Sequence, residues 1–189
     1  MSQELKDSGQ RANFETGAIR DGAPLRGRFD LLPWETLVSF PEQCMHPAVL
    51  IRLAKHFEAG AEKYDARNWE KGIPVHVYFN SAFRHWLKIR ANRTDEPHHA
   101  ALAWNLVCVC WTIEQITYGK LPASLWQLPY KISELDWFDV CTSPFTDIYE
   151  VAMSICYSEL INVFCDKNIQ AFPHAAVNAC IMLRSCNES

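Results

Sequence analysis

The stretch from His98 to Tyr118 is almost uniformly apolar and favours a helix that is buried on all sides. Its longest apolar run, from Ala100 to Ile113, is only about half as long as a membrane span and is interrupted by Asn105. We therefore expect the central helix of a soluble core and no membrane segment.

Several other segments have the apolar spacing of helices that would surround this central one. They are a short segment from Trp34 to Phe40, two strong ones at Pro47 to Tyr64 and Val77 to Ala91, and two weaker ones at Phe145 to Cys165 and Ala171 to Arg184. Clear alternating strand patterns are absent. The predicted fold class is all-α, an antiparallel helix bundle with an irregular N-terminal arm.

A chain of 189 residues favours one domain with appendages. Glycines and prolines break residues 1–46 into short pieces, which predicts an N-terminal arm. Residues 47–120 form the predicted catalytic helical core, and residues 121–189 form a C-terminal helical extension of uncertain role.

Charge and cysteine content exclude some classes of protein. With 18 Lys+Arg against 22 Asp+Glu, the net charge of −4 offers no basic excess for a nucleic-acid polymer, although a single nucleotide is compatible with it. The first ten residues lack the pattern of a secretory signal, so we expect a cytoplasmic protein, in the host cytoplasm if it is viral. The eight cysteines contain no CxxC pair and are interpreted as core residues.

Polar residues that a plain helix bundle would not need indicate a metal site. Glu58 and Glu62 lie four residues apart on one helix face, and Asp95, His98 and Asn105 stand on or beside the central helix. If the two helices pack side by side, these residues converge on one pocket whose oxygen ligands suit Mg²⁺ or Mn²⁺. The predicted metal ligands are Glu58, Glu62, Asp95 and His98. The alternative is a solvated helix flank with lysine neighbours.

Cationic and aromatic residues lie close to this pattern in sequence, as a metal-bound polyphosphate would require. They are Lys63, Arg67, Asn68, Trp69, Arg84 and His85. Each has a plainer interpretation, because the charged residues can form surface ion pairs and Trp69 can be a core aromatic residue.

Six sequence segments, in this order, resemble the phage dATP/dGTP diphosphohydrolase family, the MazZ-type relatives of MazG. They are GRFDLLP at 27–33, LAKHFEAGAEKY at 53–64, RNWEKG at 67–72, SAFRH at 81–85, DEPH at 95–98 and AWN at 103–105. The resemblance covers residues 17–118. It implies an all-α, metal-dependent nucleoside triphosphate pyrophosphohydrolase that cleaves purine substrates, dGTP or dATP, to the monophosphate and pyrophosphate.

MazG-type enzymes hold divalent metals with an ExxE helix and an ExxD helix. The present chain reads ExxxE at Glu58 to Glu62, and it has Asp95-x-x-His98 with Asn105 in place of ExxD. The resemblance implies that Glu58 or Glu62 is a metal ligand or a catalytic base. The implied substrate-binding residues are Lys63, Arg67, Asn68, Trp69, Arg84, His85, Asn105, Arg28 and Asp30.

The arm that carries Arg28 and Asp30 either folds over the pocket or serves only as a docking strap. Surplus apolar residues, Trp104, Trp111 and Ile113, together with the resemblance, predict a homo-oligomer, either a dimer or a tetramer. Two other functions stay open. One is a non-catalytic helical adaptor, and the other is a metal-dependent phosphohydrolase that removes one phosphate or all three.

Overall fold

Helices dominate the part of the chain that the computed structural model describes, which is residues 9, 11–22, 26–40, 42–127 and 175–180. The helices are α1 (Trp34–Leu37), α2 (Pro47–Tyr64), α3 (Val75–Arg90) and α4 (His98–Thr117). Short 3-10 turns lie at Phe29–Leu31, Glu42–Met45, Asn68–Lys71 and Ala123–Leu125. Residues 175–180 are helical as well. The predicted all-α fold is confirmed.

Helix α4 lies at the centre, and nearly every one of its residues is buried. Helix α3 packs antiparallel against it, since His85 contacts His98 near the α4 start and Tyr78 contacts Trp104 further along α4. By length and mean hydropathy, 1.2, α4 could cross a membrane, but 83% of its apolar window is buried among the described residues. It is therefore the core helix that its sequence predicts.

Helix α2 has the predicted bounds. Pro47 occupies its first position, and the His46 side chain caps it by accepting a hydrogen bond from the Ala48 N–H at 3.2 Å. Val49, Leu53 and Phe57 are buried on one face, as their spacing predicts. This face packs against α4, and the polar face of α2 is directed away from the core.

Two predicted helix bounds are wrong by a few residues. Helix α3 begins at Val75, directly after Pro74, which occupies the N-cap position, where its missing N–H breaks no helical hydrogen bond. Helix α1 ends at Leu37, short of the predicted Phe40. The predicted helix at Phe145 to Cys165 lies outside the described residues, and of the predicted helix at Ala171 to Arg184 only residues 175–180 are described.

The N-terminal arm contains a hairpin that the sequence did not predict. Strands β1 (Arg11–Asn13) and β2 (Ile19–Asp21) pair antiparallel, with Arg11 opposite Asp21 and an ion pair between their side chains. Strands of three residues are too short to show an alternating pattern, which is why the pattern was missed.

The arm then docks on the C-terminal half of α4 through α1. The indole N–H of Trp111 donates to Glu35 Oε1 at 2.9 Å, and the Thr36 hydroxyl donates to Glu114 Oε2. Trp111 is 6% exposed and Ile113 is fully buried, so both are used by the chain's own core. They therefore give no support to an oligomer, whose existence stays a prediction.

Candidate active site

A cavity of about 470 Å³ opens between the end of α2, the loop that follows it, α3 and α4. Five of the predicted substrate-binding residues line it, each from one of the segments that carry the family resemblance. They are Arg67, Asn68, Trp69, Arg84 and Asn105. The structure thus brings together side chains that are up to 38 residues apart in the sequence.

The loop after α2 shapes one wall of the cavity. Asp65 ends α2 with φ at 80°, and Arg67 is left-handed with φ at 58°, so the chain reverses sharply into the 3-10 turn at Asn68–Lys71. This reversal turns Trp69 inward, where it is 6% exposed and packs edge-on against Phe57, with ring centroids 5.4 Å apart. Trp69 is therefore part of the core as well as of the cavity wall.

Buried polar atoms surround this wall. The Trp69 indole N–H and the His76 Nδ1 atom are buried, and neither has a hydrogen-bond partner among the described residues. Both residues line the cavity. Buried polar groups are normally paired, so unpaired ones beside a cavity favour a site that takes up a polar ligand or water.

Arg84 provides the cation of the opposite wall. It is exposed, and its Nη2 atom donates to the Ser81 hydroxyl oxygen at 3.2 Å. Arg67 is more fully engaged, since its guanidinium pairs with Glu70 and donates to the Asp30 carbonyl oxygen at 2.5 Å. Arg84 is therefore better placed than Arg67 to bind an incoming anion.

Asn105 is the polar residue that α4 contributes. It is 3% exposed, and its amide Nδ2 donates to the Ala101 carbonyl oxygen at 2.7 Å. Its Oδ1 atom accepts no hydrogen bond from the described part of the chain. An amide held by its own helix and lining a cavity can recognise the polar edge of a ligand.

The two predicted catalytic carboxylates lie beside the cavity and do not line it. The Glu58 carboxylate accepts a hydrogen bond from the Gly27 backbone N–H at 2.8 Å, which ties the arm to α2. Gly27 has φ at 98°, and a Cβ there would lie 3.0 Å from Ala54 Cβ, so this approach favours glycine. Glu62 is exposed.

Asp65 is a cavity residue that the sequence analysis missed. It follows Glu62 by three residues and Glu58 by seven, which extends the carboxylates of α2 into the cavity wall. This spacing was the signal that could have found it.

Arg28 and Asp30 form an exposed ion pair with an N–O distance of 2.5 Å. The hydrogen bond from Arg28 lowers the pKa of the Asp30 carboxyl, against a smaller opposing effect of burial. The Asp30 carbonyl is the acceptor for Arg67, so the arm holds the loop that carries the cavity wall.

The structure places three more predicted residues, His85, Asp95 and His98, in a second cluster at the turn between α3 and α4, whereas Lys63 lies at the end of α2 and does not line the cavity. His85 Nδ1 lies 3.1 Å from His98 Nδ1, and Asp95 Oδ1 lies 3.2 Å from His98 Nε2. Asp95 and His98 are thus neighbours, as predicted, but their partner is His85, which had been assigned to the substrate. The cluster also contains Glu96, which the sequence analysis missed.

Lysine holds the carboxylates of this cluster. Lys88 Nζ donates to Asp95 Oδ2 at 3.0 Å and to Glu96 Oε1 at 2.8 Å. These hydrogen bonds are the main reason that the pKa of both carboxyl groups is lowered. Burial lowers the pKa of His85. The side chains of His85, Glu96 and His98 could together hold a metal ion.

The cluster and the cavity lie along the same pair of helices. Ser81 and His85 are four residues apart on α3, and Asn105 and His98 are seven apart on α4, so each pair shares a helix face. Tyr64 chiefly raises the pKa of the exposed Lys63, and the charge of Glu96 adds to this effect.

Comparison with known proteins agrees with the sequence resemblance. Residues 21–120 match the family described as dATP/dGTP diphosphohydrolase, N-terminal. No curated protein and no solved structure matches the chain. The match spans more than half of the 189 residues and contains every residue of both the cavity and the cluster. The chain therefore belongs to the dATP/dGTP diphosphohydrolase family.

Proposed function

We propose that the chain is a metal-dependent nucleoside triphosphate pyrophosphohydrolase that cleaves dGTP, dATP or both to the monophosphate and pyrophosphate. The observation that carries this proposal is that Arg67, Asn68, Trp69, Arg84 and Asn105 line the same cavity. Its volume of about 470 Å³ lies within the usual range for small-molecule sites.

The aromatic part of the cavity suits a purine base. Trp104 lies 5.7 Å from Tyr78 and 5.9 Å from Phe57 between ring centroids, and Trp69 packs on the same phenylalanine. Flat apolar surfaces of this kind hold a base by stacking and contact with its faces or edges. Asn105 would then bond to the polar edge of the base.

The cationic part suits the phosphates. Arg84 offers several N–H donors, and Ser81 holds its guanidinium in place. Charge-assisted hydrogen bonds from arginine to phosphate oxygens are stronger than neutral ones and grow in importance as negative charge builds up on the leaving pyrophosphate.

The chemistry of the α2 carboxylates fits a hard divalent ion. Glu58 and Glu62 lie in the last turns of α2, and Asp65 directly follows the helix. Carboxylate oxygens are the preferred protein ligands of Mg²⁺ and Mn²⁺. When bound, such an ion offsets phosphate charge and makes a water molecule more acidic. In this proposal Glu58 and Glu62 bind the ion or act as the base, and Asp65 joins them from the cavity wall. The other two predicted ligands, Asp95 and His98, are neighbours in the second cluster, and their binding to the same ion stays a prediction.

The test is product analysis in ¹⁸O-labelled water. The purified chain is incubated with each common NTP and dNTP and with Mg²⁺ or Mn²⁺, and the products are separated by ion exchange. We expect dGMP or dAMP carrying the label, with unlabelled pyrophosphate, because water attacks the α-phosphorus. Glu62→Gln should abolish turnover, and Glu42→Gln, an exposed glutamate outside the cavity wall, should not.

Other products would contradict the proposal. A nucleoside diphosphate with phosphate, or free triphosphate, would indicate a different phosphohydrolase. No turnover of any nucleotide with either ion would indicate the adaptor.

We also propose a homo-oligomer. Exposed apolar side chains on α2 and α3 support it, since Ile51, Val77 and Leu87 are 42%, 45% and 50% exposed. One chain has a mass of 21.7 kDa, and light scattering after size exclusion should give at least twice this mass. The mass of a single chain would contradict the proposed oligomer.

A further inference from the structure

Three potential ligand atoms face one another at the turn between α3 and α4. They are Nδ1 of His85, Nδ1 of His98 and Oε1 of Glu96. The two nitrogens are 3.1 Å apart, and the carboxylate oxygen is 3.8 Å from the first and 3.5 Å from the second. The atoms therefore form a nearly regular triangle.

Such a triangle has the dimensions of one face of a metal coordination sphere. Bonds of about 2.0–2.1 Å from a tetrahedral ion to nitrogen and oxygen place neighbouring ligand atoms about 3.3 Å apart. The observed separations of 3.1, 3.5 and 3.8 Å bracket this value. Small side-chain adjustments would suffice to bind an ion.

Asp95 prepares His98 for this role. The Asp95 carboxylate oxygen lies 3.2 Å from His98 Nε2 and so favours the tautomer with the proton on that nitrogen. The lone pair of His98 is then on Nδ1, directed at His85. A carboxylate behind a ligating histidine is a common arrangement in metal sites, where it fixes the ring orientation.

Burial and access also suit an ion. The side chains of His85 and His98 are 10% and 1% exposed, while that of Glu96 is 43% exposed. The imidazoles are held rigidly between two packed helices, and the carboxylate side is open to solvent. An ion can therefore enter from that side and keep a water ligand there.

Lys88 is the competitor for this site. Its ammonium group donates to Glu96 Oε1, one of the three ligand atoms, and to Asp95. In the ion-free state it neutralises the carboxylates, and an ion must compete with it for Glu96. Lys88 lies on the solvent side with 33% of its side chain exposed, so it can move away.

We propose that His85, Glu96 and His98 form a binding site for a divalent first-row transition-metal ion of the Zn²⁺ and Co²⁺ class. Two imidazoles select such ions over Mg²⁺, which prefers oxygen ligands. The ligand set contains none of the α2 carboxylates, and the proposal does not depend on the proposed function. A bound ion would clamp the C-terminal half of α3 to the start of α4.

The experiment uses the full chain after EDTA treatment and removal of the chelator, without nucleotide. The chain is titrated with Co²⁺ while the visible ligand-field absorption of the bound ion is recorded. Competition with Zn²⁺ then gives the affinity of the chain for Zn²⁺. The variants are His85→Asn, Glu96→Gln and His98→Asn. The matched control is His99→Asn, which changes the neighbouring histidine of α4 that lies outside the triangle. Circular dichroism checks that each variant folds.

We expect one equivalent of Co²⁺, displaced by Zn²⁺ and not by millimolar Mg²⁺. Affinity should fall about tenfold or more in His85→Asn and Glu96→Gln and should be unchanged in His99→Asn. Zn²⁺ should raise the melting temperature of the parent chain and of the control, and not of His85→Asn. Absence of a Co²⁺ spectrum, or equal binding by His85→Asn, would overturn the proposal. If His98→Asn does not fold, the other two variants decide.

Discussion

Replacement of Arg84 by alanine removes the cation that is best placed to bind phosphate in the cavity. Arg84 lines the cavity, and its guanidinium group donates a hydrogen bond to the Ser81 hydroxyl on the same helix. The charge of Arg84 therefore contributes little to the stability of the folded chain. It would contribute much more to the binding of a nucleotide, because the guanidinium group of arginine matches the oxygen atoms of a phosphate group.

The size of the effect follows from the strength of a charged hydrogen bond. Such a bond contributes about 1.5–3 kcal/mol, and each ~1.4 kcal/mol changes a rate or equilibrium tenfold. Arg84 is exposed to solvent, which weakens its interactions. We therefore expect kcat/KM for the purine dNTP to fall by about 10- to 30-fold, which corresponds to the lower part of this energy range.

The assay is pyrophosphate release over a range of dNTP concentrations. A rise in KM alone would indicate that Arg84 binds substrate and transition state equally, and a fall in kcat would indicate contact with the leaving group. Arg90→Ala is the matched control. Arg90 is an exposed arginine of the same helix, outside the cavity, with its guanidinium 5.9 Å from the Trp86 ring centre.

Both variants should fold as well as the parent chain, since exposed substitutions usually change the free energy of unfolding by less than about 0.5 kcal/mol. If Arg84→Ala keeps kcat/KM within twofold of the parent, or loses no more than Arg90→Ala, the cavity is not the phosphate site. Arg84→Lys should recover only part of the activity, because lysine keeps the charge and loses the planar fork.

Three further outcomes follow from the structure. Burial raises the pKa of Glu114 above its ordinary value of 4.5, so ionisation of this carboxyl opposes folding. The free energy of unfolding, measured by urea titration, should therefore fall as the pH rises above 4.5. This dependence on pH should be lost in Glu114→Gln, and an unchanged dependence would refute the reasoning. Burial also raises the pKa of the Cys108 and Cys110 thiols, so neither should react with iodoacetamide at pH 8 until the chain is unfolded, and mass spectrometry of the native protein would reveal any exception. Gly72 has φ at 95° and a leucine methyl 2.7 Å from where a Cβ would lie, so Gly72→Ala should cost about 1–2 kcal/mol in a thermal melt, whereas Gly60→Ala, within α2 and with open space around it, should stabilise or be neutral.

Local patterns in the sequence were enough to predict the main helices. Pro47 and the apolar spacing gave α2 its bounds, and the uniformly apolar stretch gave the central helix α4. The cavity residues Trp69, Arg84 and Asn105 were also predicted as site residues, because residue types that a plain helix bundle does not need can be recognised directly in the sequence. Periodicity reveals which residues share a face of a helix.

Periodicity does not reveal which face of another helix lies opposite. Asp95 and His98 were therefore expected to join the α2 carboxylates, and the packing of α3 on α4 gives them His85 as a partner instead. The contact of Glu58 with Gly27 spans 31 residues and depends on how the arm folds back, which no local pattern encodes. Side-chain partners of this kind are decided by tertiary packing.

The most direct test of the central claim is a crystal structure of the chain with Mg²⁺ and a dGTP analogue that cannot be cleaved between the α- and β-phosphates. The account predicts the purine in the cavity beside Trp69 and Asn105, with the phosphates at Arg84 and the ion between them and the α2 carboxylates. Density for the nucleotide elsewhere on the chain, or an empty cavity at saturating analogue, would contradict it.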